Sequence, residues 1–150
     1  MRLERVKREK TWLEIITIRL FRRWVAAREE GQCTTSSLTD LARRFAAPMM
    51  LAVALDSLFQ LTEACIGRPL EAECCCTPNC NSDERAILLL ISLAPEAGPT
   101  SSSSQVPHGL PGALVWAARS VCAIVSGESG PIARPEPPEI CPFQLKAASR

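Results

Sequence analysis

Four of the chain's eight cysteines fall within one short stretch, as Cys74-Cys75-Cys76 followed after three residues by Cys80. Thiolate is a soft donor. Zinc is held by four nitrogen or sulfur ligands in a tetrahedron, and a pair of cysteines two to four residues apart lets the chain curl around the ion. Cys76 and Cys80 meet that spacing. Three consecutive cysteines do not share one direction in an extended chain, where Cys75 faces opposite to its neighbours. The candidate metal ligands are therefore Cys74, Cys76 and Cys80, completed from Cys65, Cys33, Cys122 or His108, with zinc as the candidate ion. A second paired motif is missing, so the pattern is less specific than a double CxxC.

The same cysteines allow two other readings. Cys76 and Cys80 stand just ahead of an expected helix N-terminus, where the helix dipole favours a thiolate suited to redox or nucleophilic work. Asp83 and Glu84 oppose that effect, and His108, the single histidine, sits in a Pro/Gly-rich run whose spacing pairs it with no cysteine. The plainest expectation is burial. Free cysteine is among the most buried residue types, so Cys74 and Cys76 are expected as small core side chains, with Cys75 and Cys80 less buried. The sequence holds no phosphate-binding glycine loop, HExxH or GxSxG. The expectation is a protein without catalysis.

The elements that must position these residues read as helices. Residues 3–29 lack Pro and Gly, and Leu13, Ile16, Leu20, Trp24 and Ala27 fall on one helical stripe. Ile18, Phe21 and Val25 form a second stripe. A helix apolar on two sides is buried on both or meets a partner, so a protein partner or self-association through this helix is expected. After Gly31 and a polar linker, a second helix is expected from near Ser37 or Thr39 to Phe45, and a third from Pro48 to Cys65. Leu70 to Cys76 alternates weakly, as a short extended segment would. Asn81 or Ser82 caps a fourth helix ending at Pro95, and a fifth covers residues 113–126. Between them, residues 95–112 form a long Ser/Pro/Gly loop.

The fold class expected is all-α, a bundle of four or five helices. One helical domain covers residues 1–126, its first eleven residues a basic extension. Residues 127–150, with five prolines after Gly127, form a flexible tail.

Charge and hydropathy narrow the partners. Seventeen basic against sixteen acidic residues give a net charge of +1, which removes a bulk electrostatic case for nucleic acid or an anionic membrane. Residues 1–30 carry nine basic and five acidic groups, and residues 31–100 carry four basic and eight acidic. Ser37 to Phe45 resembles the first helix of a helix-turn-helix, but residues 49–61 offer no Lys or Arg to the major groove, so DNA binding is not expected. Phe45 to Leu61 is the nearest approach to a membrane span, interrupted by Pro48 and Asp56. The basic start lacks the apolar run and cleavage site of a signal peptide. A cytoplasmic location is expected, where thiols stay reduced.

The order of helix, polar linker, helix, Arg68-Pro69-Leu70, triple cysteine, Pro-containing turn and acidic helix start resembles a family of small alphaproteobacterial proteins, a domain of unknown function with a triple-cysteine motif before a helix. The resemblance spans roughly residues 13–125. The turn Thr77 to Asn81 is one residue longer than the family pattern, which leaves Cys80 outside it. The resemblance implies a bacterial, cytoplasmic, helical protein and no mechanism. The functional expectation is action through protein–protein contacts, with a zinc-binding or thiol-redox module at Cys74–Cys80 as the alternative.

Overall fold

The structure is a computed structural model that describes residues 2–94 and 110–127, with side chains described from Thr11 onward. His108, Cys141, most of the expected long loop and nearly all of the expected Pro-rich tail lie outside the described residues. The described residues are all-α, with five helices: α1 Arg2–Glu29, α2 Thr34–Arg44, α3 Met49–Ile66, α4 Ser82–Leu93 and α5 Leu110–Ser126.

Helix α1 runs 28 residues, about 42 Å at the helical rise. It ends at Gly31, which adopts φ +67, a left-handed conformation that a Cβ penalises. There Gln32 N–H donates to the Ala27 carbonyl at 2.8 Å and Gly31 N–H to that of Arg28 at 3.1 Å, which satisfies the last turn. Both apolar stripes of α1 are used inside the molecule. Ile16, Leu20, Trp24 and Ala27 are buried from one stripe, and Phe21 and Val25 from the other. Helices α2, α3 and α4 pack against α1, and α5 packs mainly on α3.

The second helix starts earlier than Ser37, at Thr34 with Cys33 as its N-cap. The polar run is not a linker but the first turn of α2, because Thr35 turns its hydroxyl inward to donate to Asp56 Oδ2 at 2.6 Å. The fifth helix likewise begins at Leu110 rather than 113, since Pro111 in a first turn forfeits no intrahelical bond. Pro48 stands at the N-cap of α3.

Leu38, Ala42, Leu51, Leu55, Leu58, Ile87 and Ala118 join the buried residues of α1 in one core. Its centre is aromatic. Phe59 meets Phe21 edge-on at 5.1 Å between ring centroids and Trp24 at 5.5 Å. Helix α3 is long and apolar enough to cross a membrane by length and composition. Here it packs between α1, α2 and α5. Its buried Asp56 accepts from Trp24 Nε1 at 2.8 Å as well as from Thr35.

Candidate cysteine site

The loop of residues 67–81, between α3 and α4, carries the cysteines. It contains no strand: residues 70–74 are irregular, and Cys74–Thr77 form a turn closed by Thr77 N–H donating to the Cys74 carbonyl at 3.0 Å. Two carboxylates at the start of α4 hold this loop. Asn81 caps the helix by accepting from Glu84 N–H, and the Glu84 side chain reaches back to Asn81 N–H, a reciprocal capping box. Glu84 also accepts from Glu73 N–H at 3.1 Å. Asp83 accepts from Glu71 N–H and pairs two-pronged with Arg68 at 2.7 and 2.8 Å. The loop is further tied to α3, where Glu63 accepts from Leu70 N–H and pairs with Arg28, whose guanidinium lies over the Trp24 ring.

Arg22 of α1 is the centre of this arrangement. Its Nε donates to Glu84 Oε1 at 2.7 Å, and its Nη2 to Glu84 Oε2 at 3.1 Å and to the Asn79 carbonyl at 3.0 Å. Its Nη1 donates to the carbonyls of Cys74 at 3.0 Å and Thr77 at 2.7 Å. All five guanidinium N–H groups are thereby used. The side chains of the pair are 8% and 0% exposed. Burial pushes the Glu84 carboxyl up, but Arg22 and the backbone N–H groups of Glu73 and Asn81 outweigh it and hold the group below its ordinary value. Asp83 is held low chiefly by Arg68.

Drawing the carbonyls of Cys74, Thr77 and Asn79 inward onto Arg22 leaves the thiols of the turn outside. Cys74, Cys75 and Cys76 are all exposed. The expectation that Cys74 and Cys76 are core side chains is overturned. The Cys74 carbonyl, not its sulfur, faces the protein. The alternation expected to turn Cys75 away also fails, because a turn replaces the extended chain. Cys74 Sγ lies 3.4 Å from Cys76 Sγ, Cys75 Sγ lies 3.7 Å from Cys76 Sγ, and all three sulfurs lie within 4.8 Å of one another.

The thiols are not equivalent. Cys76 N–H donates to the Cys74 sulfur, and with the neighbouring thiols this lowers the Cys74 pKa. Cys76 is raised by the thiols of Cys74 and Cys75. Cys80 is half-buried and pushed up, first by burial and then by Glu84. The helix N-terminus does not activate Cys76 or Cys80: both thiols are pushed up, and the capping box takes the Asn81 and Glu84 N–H groups for itself.

Of the ligand set expected from sequence, the structure brings Cys74 and Cys76 together and adds Cys75. The three-sulfur group does not include Cys80 or the half-buried Cys65 in the last turn of α3. Cys80 instead lines, with Cys75, Cys76, Ile15, Ile18 and Glu14, a groove of about 400 Å³. A second groove of about 500 Å³ lies on the Cys74 side. Sequence reasoning missed Arg22, which looked like one more cation on the flank of a basic helix. The pattern Asn81-x-x-Glu84 was the available signal that one carboxylate was committed to the loop.

Three thiolates are a donor set for soft ions. A tetrahedral ion with bonds of about 2.3 Å places neighbouring sulfurs about 3.8 Å apart. The spacings of 3.4 and 3.7 Å need little change to meet such an ion. Comparison with protein-family models, curated proteins and solved structures finds no match to this chain.

Proposed function

We propose that this helical protein binds a thiophilic metal ion through Cys74, Cys75 and Cys76. The observation that carries the reading is the convergence of three exposed sulfurs on a turn held from behind by Arg22. Buried cysteines serve packing. Exposed ones gathered on a turn already ordered by the ion pairs beneath it support the reading of a ligand site. Metal content measured on protein purified under reducing conditions, with thiol titration of the same sample, tests this. One ion per chain, absent from a variant with all three residues changed to Ser, supports it. An equal metal content in that variant removes it.

A second reading, contact with a protein partner or a second copy through the first helix, is supported by exposed apolar side chains. Ile15 of α1 is 56% exposed, and Trp12 nearby is also open to solvent. Cross-linking from Trp12→Cys, in a background where all eight native cysteines are Ser, tests it, and a monomer at high concentration with no captured partner counts against it.

A further inference from the structure

We infer that Cys74, Cys75 and Cys76 form a three-coordinate site for monovalent copper. This rests on the metal-binding reading above and names its ion. Among the described residues, the donor group contains three sulfurs and no fourth Cys, His, Asp or Glu ligand. A structural zinc ion takes four protein ligands, and a catalytic one takes three plus a water. The three sulfurs fall one short of a structural zinc site, and zinc held here would take a solvent water as its fourth ligand, a case the zinc arm of the titration below separates. Monovalent copper is softer, prefers thiolate, and is saturated by three sulfurs. Glu84 and Asp83 at the start of α4 are engaged by Arg22, Arg68 and backbone N–H groups, and Glu73, beside Cys74 in the loop, stands outside the three-sulfur group.

On binding, each of the three thiols gives its proton to solvent as its sulfur bonds the ion, so three thiolates and one monovalent cation leave two negative charges. The groove beside Cys74 and Cys75 is lined by Arg19, Arg22 and Arg23 against Glu29 and Glu73. Arg22 is already paired with Glu84, which leaves Arg19 and Arg23 as the further positive side chains near that charge. The sulfurs are exposed, so an ion can enter, or pass to another thiol ligand, without the helices separating.

The test is titration of the full chain under strictly anaerobic, reducing conditions with monovalent copper against a chromogenic copper(I) chelator, and separately with zinc against a zinc indicator. The expected result is one copper per chain, with an absorption spectrum showing sulfur neighbours only and a coordination number of three. Single Cys74→Ser, Cys75→Ser or Cys76→Ser variants lose more affinity than the roughly 10–100-fold seen when an outer partner is removed. Cys65→Ser, Cys80→Ser and His108→Ala leave it unchanged. Circular dichroism of each variant checks that the helices persist. Tighter zinc than copper binding, or a loss with Cys80→Ser or His108→Ala, overturns the copper assignment while leaving the metal site standing. Binding of neither ion overturns both.

Discussion

Phe21 and Arg22 are neighbours on α1, yet they hold different parts of the molecule by different physics. Phe21 turns into the aromatic centre with Trp24 and Phe59, where the gain comes from area removed from water. That gain has no direction. Arg22 faces the cysteine loop, where five donors meet five acceptors and each bond has a required angle. The apolar centre decides that the helices assemble. The arginine decides the path of a loop that has little apolar surface of its own, and so decides which way its thiols point.

The largest effects expected separate the two. Arg22→Ala strands a fully buried Glu84 and removes the donor to the Thr77 and Asn79 carbonyls, at about 3–5 kcal/mol of stability in chemical denaturation. Phe59→Ala costs about 3–5 kcal/mol by the cavity it leaves. The contrast lies in the milder changes. Phe59→Leu recovers much of the loss, because apolar volume is what that site needs. Arg22→Lys recovers little, because an ammonium cannot bridge Glu84 and the carbonyls together. Metal affinity measured at temperatures where each variant is folded sharpens the comparison: Arg22→Lys weakens it and Phe59→Leu does not. Equal metal affinity in both would mean that the loop keeps its shape without the arginine.

An intermediate effect is expected where the two kinds of packing meet. Asp56 sits inside the core but is bound by Trp24 Nε1 and the Thr35 hydroxyl. Asp56→Ala leaves both donors unpartnered, at about 1–3 kcal/mol each where no water replaces the carboxylate. A loss near zero would show that water enters beside Trp24.

Acid provides a further separation. The Glu84 and Asp83 carboxyls lie below their ordinary values of 4.5 and 3.8. A depressed carboxylate contributes stability that is complete above the unfolded value and is lost as pH falls toward the folded one. The melting temperature is therefore expected to hold from neutral pH to about pH 5 and to fall below about pH 4.5. Glu84→Gln is expected to melt lower at neutral pH and to show a shallower fall in acid. An unchanged slope in that variant would assign the acid sensitivity to other carboxylates.

The helices were legible because apolar periodicity is local. Leu13 through Ala27 on one stripe, and the Asn81 cap ahead of Glu84, can be read within a few turns of chain. The loop was not legible for the complementary reason. Arg22 and Glu84 are 62 residues apart, and no local pattern distinguishes an arginine with five partners from one in solvent. The same gap explains the error over burial. Cys74 and Cys76 alternate as buried strand residues do, and the turn that exposes them is held by a cation from another helix. Thr34 and Leu110 show a smaller version at helix starts, where tertiary hydrogen bonding and proline's tolerance in a first turn moved the boundaries.

The smallest effect is the most informative about the loop. If the thiols are displayed by the turn rather than used to build it, changing Cys74, Cys75 and Cys76 together to Ser leaves the metal-free melting temperature unmoved. Serine keeps the Cys74 carbonyl that Arg22 holds and the Thr77 N–H that closes the turn. The sulfurs are exposed, so no packed volume is removed. Thermal denaturation of both chains in reductant and chelator measures this. A clear drop for the triple variant would return the thiols to a packing role and would take from the Arg22 arrangement its purpose of holding them outward. Coincident curves, with a rise on metal addition in the native chain alone, would separate what builds the turn from what the turn presents.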